Sequence, residues 1–282
     1  MKKTSSIAEL REIISLEKKL GRKIALVPTM GYLHQGHMSL VEFAQKTGGF
    51  VVLSIFVNPL QFGPREDLAK YPRDLARDAV LCETAGVDLL FHPETEEVYP
   101  NPMLTYVEVG QLDAVLCGVM RPGHFRGVAT VVSKLFNIVQ PDYAFFGQKD
   151  YQQYLIIKRM VSDLNFPIEI CPVPIMREED GLAMSSRNVY LTSSERQEAL
   201  VLSQSLEEAE KSLRGGERSA REIVIQISER ISRDSRGEID YVEVRNAEDL
   251  SEVTLINTPV VIALAVKFGT TRLIDNKVVE EV

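Results

Sequence analysis

Apolar residues recur along the first part of the chain in two alternating rhythms. Ser6 and Glu9 have the spacing of a capping box, and Ile7, Leu10, Ile13, Ile14 and Leu20 then fall on one face of a helix. Residues 23–27 form a short apolar run, a predicted strand broken by Pro28. Residues 38–46 return to helical spacing. Residues 50–57 are nearly continuous in apolar side chains, the pattern of a strand covered on both faces. Residues 67–85 read as a helix stopped by Gly86, and residues 87–91 as a strand. A helix at 128–139 closes before Pro141, and a strand at 143–146, a helix at 151–164 and a strand at 168–173 follow. Strand and helix in strict alternation predict an α/β fold with a doubly wound parallel sheet, a Rossmann-like N-terminal domain.

The rhythm changes after residue 176. Thr192 with Glu195 opens a polar-rich helix that runs to Arg214 and stops at Gly215 and Gly216. A second helix covers 220–233, and strands at 240–245 and 259–266 follow with no crossover helix between them. That order predicts a smaller α+β C-terminal domain with antiparallel pairing, so the expected domains are 1–175 and 176–282.

The length of 282 residues suits two such domains, and 45% hydrophobic with 26% charged residues excludes global disorder. No apolar run approaches the roughly 20 residues of a membrane helix, so no membrane association is expected. The basic start, Met1-Lys2-Lys3, lacks the apolar core of a secretion signal, which points to the cytoplasm. Lys and Arg total 32 against 40 Asp and Glu, a net charge of −8 without any basic cluster. No nucleic-acid partner is expected, whereas a small anion such as a nucleotide needs only a few local cations. Cys82, Cys117 and Cys171 are far apart and have no metal-ligand spacing, so they read as reduced thiols.

Four segments carry candidate chemistry. In Pro28-Thr29-Met30-Gly31-Tyr32-Leu33-His34-Gln35-Gly36-His37, a turn joins the first strand to a helix, where amides point at phosphate. A helical turn beginning there puts both imidazoles on one side, as donors for charge developing on phosphorus. Gly147-Gln148-Lys149-Asp150-Tyr151-Gln152-Gln153 is a second strand end. Lys149 suits phosphate oxygens, Asp150 either ribose hydroxyls or a helix cap, and Gln153 a polar substrate. In Met184-Ser185-Ser186-Arg187-Asn188, two hydroxyls and a guanidinium in a flexible stretch suit either a turn before the next helix, the reading the segment favours by itself, or a phosphate clamp brought by the second domain as a lid. Asn58 and Gln61, in Val57-Asn58-Pro59-Leu60-Gln61-Phe62, are placed to read hydroxyls or a carboxylate on a small acid. Asp74 and Asp78, one helical turn apart, suit Mg²⁺ together with phosphate oxygens, or a solvated helix face. His124 either borders a pocket or stabilises a loop.

The His-x-Gly-His turn resembles that of the nucleotidyltransferase superfamily. The four motifs together, in this order, resemble the pantothenate synthetase (pantoate–β-alanine ligase) family, with Ala183 where tRNA synthetases carry a lysine. The resemblance implies ATP-dependent joining of (R)-pantoate to β-alanine, giving pantothenate, AMP and diphosphate through a pantoyl adenylate. It implies ATP-binding positions at Met30, Gly31, Tyr32, Leu33, His34, Gln35, Gly36 and His37. Further ones are Gly147, Gln148, Lys149, Asp150, Met176, Met184, Ser185, Ser186 and Arg187. It places pantoate at Gln61 and Gln153, and assigns His37 as proton donor. It further implies a cytoplasmic homodimer that uses Mg²⁺, for which Asp78 is the expected ligand.

The chemistry agrees with these residue types. An ionised carboxylate attacks the α-phosphorus unaided, so the first step needs donors around the triphosphate rather than a strong base. His34, His37, Lys149 and Arg187 are the expected catalytic groups. The rivals are a transferase that leaves the nucleotide on its product and a nucleotide-binding regulatory module without turnover.

Overall fold

A computed structural model of the chain describes residues 1–64, 66 and 68–280. In chain order the strands and helices begin with β1 (Lys2–Thr4), α1 (Ile7–Lys19), β2 (Ile24–Thr29), α2 (Gln35–Gln45) and β3 (Phe50–Ile55). Next come α3 (Leu75–Thr84), β4 (Leu89–Phe91), α4 (Thr95–Val98), α5 (Cys117–Met120) and α6 (His124–Val139). The chain continues through β5 (Tyr143–Gly147), α7 (Tyr151–Asp163) and β6 (Glu169–Val173). It ends with α8 (Ser193–Ala199), α9 (Val201–Arg214), α10 (Ala220–Asp234), β7 (Glu238–Asn246), β8 (Val260–Phe268) and β9 (Thr271–Val279).

These elements divide into two compact units. The first comprises Met1–Gly110, Arg121–Gln148 and Ile156–Pro174, and the second Gln111–Met120, Lys149–Leu155 and Ile175–Val282. Two short stretches that precede residue 175, 111–120 and 149–155, thus group with the later part of the chain.

Among the described residues of the first unit, six strands form one sheet in the order β1-β4-β3-β2-β5-β6, and every pairing is parallel. This is the doubly wound arrangement that the alternation predicts. Ile24, Ala25, Leu26 and Val27 are fully buried, as a strand covered by helices on both faces requires. Chain order runs outward from β2 to β3 and β4 on one side, and the later strands β5 and β6 lie on the other. The reversal falls between β2 and β5, and ligands of open α/β sheets bind outside the carboxyl ends of the strands at such a point.

Several expectations are corrected. β2 continues through Pro28 to Thr29 instead of breaking at the proline. The missing N–H is tolerated because β5 pairs only with Ala25 and Leu26, leaving a ladder to β3 alone at the level of Pro28. The helix expected over 67–85 is shorter, Leu75–Thr84, and residue Asp67 of that expectation lies outside the described residues. Pro72 disfavours helical backbone at Tyr71, and the Asp74 carboxylate, accepting the Arg77 amide at 3.0 Å, sets the helix start. Leu20, expected on the apolar face of α1, is 75% exposed beyond the helix end.

In the second unit the capping box of Thr192 and Glu195 is present, and the long helix predicted after it is interrupted at Leu200. Three strands, β7-β8-β9, pair antiparallel. Leu202, Leu206 and Leu213 of α9 and Ile223, Ile227 and Ile231 of α10 pack in one core with Val260, Ile262, Leu264 and Val266 of β8. Among the described residues, no helix is long and apolar enough to cross a membrane.

Candidate active site

The turn after β2 is built around one carboxylate. Thr29 Oγ1 donates to the Ser54 carbonyl at 2.8 Å and accepts the Gly31 amide at 3.2 Å. Gly31 has φ +83°, and a Cβ there would lie 2.9 Å from Ile55 Cγ2 and 3.2 Å from Asp78 Oδ2, so only glycine fits. Tyr32 is also left-handed, at φ +50°. Its conformation is held because Asp78 accepts the Tyr32 amide at 2.7 Å and the Leu33 amide at 2.8 Å. Burial raises the Asp78 carboxyl above its usual range, against the opposing effect of these two amides.

This corrects the metal expectation. Asp78 lies in α3 with its side chain 1% exposed and both oxygens on backbone amides, while Asp74 caps the same helix. Among the described residues no group of three His, Cys, Asp or Glu could hold a metal ion. Buried and held by two amides, the Asp78 carboxylate does not fit the role of a Mg²⁺ ligand.

His34 is the N-cap of α2 and His37 its third residue, with ring centroids 4.0 Å apart. The expected side-by-side imidazoles are therefore present. His37 Nδ1 accepts the His34 amide at 3.2 Å, so the proton of the neutral ring sits on Nε2. The first turn of α2, which His34 and His37 flank, adds backbone amides of the kind that bind anions. Met30 precedes this turn, and Gln35 is exposed while Gly36 is half-buried.

The carboxyl end of β5 lies across the sheet reversal from that of β2. A Cβ at Gly147 would meet nothing within 4 Å, open space into which a ligand can approach the backbone. Gln148 follows and opens a 3₁₀ turn, Gln148–Asp150, that leads into α7.

Beyond β3, Asn58 caps a 3₁₀ turn, Pro59–Gln61. Asn58 was expected to touch substrate, and here the structure differs. Its side chain is 1% exposed, with Oδ1 accepting from Tyr99 Oη and the Leu60 amide, and Nδ2 donating to Gly127 O and Gln61 Oε1. Every polar position is committed, so Asn58 orients Gln61 instead of reading a ligand. Because Gln61 Oε1 accepts from Asn58, its Nε2 is the donor end of the amide and faces Met30 Sδ at 2.9 Å. His124 stabilises this turn, with its Nδ1 2.8 Å from the Gln61 carbonyl.

Gly127 of α6 lets this turn approach closely, since a Cβ there would lie 2.2 Å from Leu60 O and 2.7 Å from Gln61 Cα. Gly127→Ala is expected to destabilise the protein by at least about 1–3 kcal/mol, the cost of overpacking against rigid backbone. Calorimetry reads this as a lower unfolding midpoint, and an unchanged midpoint would show that the turn yields freely.

In the second unit, the chain just before Met184 folds back on itself. Met184 N bonds Met176 O at 3.0 Å and Glu178 N bonds Leu182 O at 2.8 Å, closing a hairpin around Gly181 at φ +93°. Arg177 makes a two-pronged bridge to the buried Asp275 at 2.7 and 3.1 Å, and Arg196 joins Glu178 and Asp180. The hairpin presents Met176, 39% exposed, and leads to the half-buried Met184 and Ser185. Ser185 Oγ accepts the Arg187 amide at 3.2 Å, opening a 3₁₀ turn that begins at Ser186.

Lys149 belongs to the same unit. Its carbonyl accepts from Asn276 Nδ2 at 2.8 Å, and its ammonium lies 4.0 Å from the half-exposed Asp150 carboxylate. Gln153 is half-buried, whereas its neighbour Gln152 is buried and holds the segment 112–117 through Leu112 O, Val115 O and Cys117 N. Asp275 and Asn276, adjacent on β9, therefore support both the hairpin and Lys149. Sequence reading missed them, although two consecutive polar residues in a strand pattern are a signal, because alternation should send one of them to solvent.

The chain matches the family model described as pantoate-beta-alanine ligase over residues 2–278. It is 66% identical over 274 residues to a pantothenate synthetase of Desulfitobacterium hafniense (strain Y51), covering 97% of each chain. A pantothenate synthetase of Acetivibrio thermocellus is 56% identical, with 99% of this chain and 100% of the relative aligned. Its fold is similar to the crystal structure of pantothenate synthetase from Thermus thermophilus, with a TM-score of 0.93, 47% identity and coverage of 98% and 99%. A pantoate-beta-alanine ligase from Francisella tularensis, crystallised with beta-gamma ATP and beta-alanine, superposes with a TM-score of 0.80 at 34% identity, covering 98% and 97%.

Proposed function

The chain belongs to the pantoate–β-alanine ligase family, and from that premise we propose that it condenses (R)-pantoate with β-alanine at the expense of ATP. In the first step a pantoate carboxylate oxygen bonds the α-phosphorus, the bond to the bridging oxygen breaks, and diphosphate leaves. In the second the neutral amine of β-alanine bonds the acyl carbon, loses a proton, and AMP departs. The product is pantothenate.

The observation that carries this reading is the His34–His37 turn, set at the carboxyl end of β2 beside the sheet reversal. His37 Nε2–H and His34 are proposed to donate to phosphate oxygens as charge grows on them. Lys149 and Arg187, with Ser185 and Ser186, are proposed as cationic and hydroxyl donors to nucleotide phosphates, and Met30 through His37, Gly147, Gln148, Asp150, Met176 and Met184 as nucleotide-binding positions. Gln61, as an N–H donor, and Gln153 are proposed to hold pantoate. Magnesium belongs to the nucleotide substrate as MgATP, with no protein ligand proposed for it. The family resemblance also supports a cytoplasmic homodimer as the working form, which sedimentation equilibrium would read as twice the chain mass.

Isotope exchange between diphosphate and ATP tests the mechanism. Exchange should require pantoate and proceed without β-alanine. Exchange that needs no pantoate, or that appears only with β-alanine present, would overturn the adenylate route. A stable nucleotidylated product would favour a nucleotidyltransferase instead.

A further inference from the structure

Gln61 is held at both ends. Asn58 fixes its side-chain amide, and a chain of charged groups reaches its backbone oxygen from the other side. His124, the first residue of α6, approaches the Gln61 carbonyl through Nδ1 at 2.8 Å, and Arg121 Nη1 approaches His124 Nε2 at 3.0 Å. A carbonyl only accepts and a guanidinium only donates, so Nδ1 must carry the proton and Nε2 must accept. A doubly protonated ring would point N–H at N–H. Arg121 is in turn gripped by Glu66 through Nε at 2.8 Å and Nη2 at 2.6 Å, and Nη2 also lies 3.4 Å from the Gln61 carbonyl. Burial acts to raise the Glu66 carboxyl, but the Arg121 bonds and charge outweigh it, so Glu66 sits below the usual carboxylate range and stays ionised.

We propose that His124 is a positioning residue for pantoate, locked in its neutral Nδ1–H tautomer by the Glu66–Arg121 pair so that it fixes the backbone of Gln61. The inference rests on the reading that Gln61 binds pantoate. Asn58 alone would leave Gln61 free to rock about its backbone. With the carbonyl pinned as well, the Nε2 end of the amide has one direction, and a substrate oxygen would meet it without prior ordering. The effect belongs to binding, so it should appear in KM rather than in the rate of bond making.

Steady-state kinetics of the full enzyme test this. His124→Phe removes the Nδ1 donor and should raise the KM for pantoate about tenfold, because the Gln61 amide must then be ordered on binding, with kcat and the KM for ATP changed less than about threefold. His124→Asn places an N–H near the lost Nδ1 position and should recover most of the loss. Glu66→Gln, which frees Arg121 while leaving His124 in place, should give a smaller rise in the same parameter. If His124→Phe and His124→Asn fold and behave alike, or if kcat falls instead of KM rising, the positioning role is overturned. Gln61→Ala separates the two ideas. An unchanged pantoate KM in Gln61→Ala would remove the reading beneath, whereas a raised KM there with a normal one in His124→Phe would remove only this inference. In the double variant, His124→Phe should add nothing to Gln61→Ala.

Discussion

His37→Ala should slow single-turnover formation of the adenylate about 10²–10³-fold, the range seen when one preorganised donor to a developing oxyanion is lost. The dissociation constant for ATP should rise by less than about tenfold, because a single hydrogen bond to the ground-state nucleotide contributes only about 0.5–1.5 kcal/mol. The asymmetry follows from the ring's geometry. Nδ1 accepts the His34 amide, which leaves Nε2–H as the group able to meet oxygen charge that grows during the reaction. Alanine also deletes that acceptor and so weakens the start of α2. His37→Gln separates the two effects, since glutamine at the third helical position reaches back to the N-cap amide. It should restore the unfolding midpoint while leaving adenylation slow. Adenylation at the wild-type rate in His37→Ala would remove the assignment, and full recovery of rate in His37→Gln would reduce the histidine to a cap.

Asp78→Ala should cost about 2–4 kcal/mol of folding stability, by leaving two amides of a tight turn without acceptors. The loss does not stop at stability. Tyr32 holds a left-handed backbone and Gly31 packs 3.2 Å (by its would-be Cβ) from the same carboxylate, so the turn that leads to His34 loses its anchor. A displacement of about 1 Å at reacting groups costs on the order of a hundredfold in rate, and adenylation should fall by that much in the surviving folded enzyme. Raising Mg²⁺ discriminates between anchor and metal ligand. The activity of Asp78→Ala or Asp78→Asn should not recover as Mg²⁺ is increased. Recovery toward the wild-type rate would mean that the carboxylate meets the metal after all.

The strands of the parallel sheet were the most legible part of the fold, because burial on both faces demands unbroken apolar runs such as Ile24–Val27 and Phe50–Leu53. β1 was not legible: three residues, two of them lysines, form a strand only because β4 offers its edge. β9 was hidden by Arg272, Asp275, Asn276 and Lys277, whose polarity hides a strand that pairs along its whole length with the apolar β8. The histidine pair could be read, since three-residue spacing at a helix start fixes where both rings go. Asn58 and Gln61 were given the same task from sequence. Residue type does not reveal that every polar position of Asn58 is spent on its neighbours. Asp78 was misread for a similar reason: its partners are backbone amides 45 and 46 residues away, and amides carry no sequence signature.

The clasp from Asn276 to the Lys149 carbonyl spans 127 residues. On a ribosome that adds about 5–20 residues per second, roughly six to twenty-five seconds pass between the making of the lysine and the making of its support. Arg177 likewise waits for Asp275, 98 residues downstream. The β2 turn, whose own anchor arrives within 46 residues, can be complete well before either. A nascent chain can therefore close the β2 turn around Asp78 early, whereas the supports of Lys149 and Arg177 are among the last contacts to form.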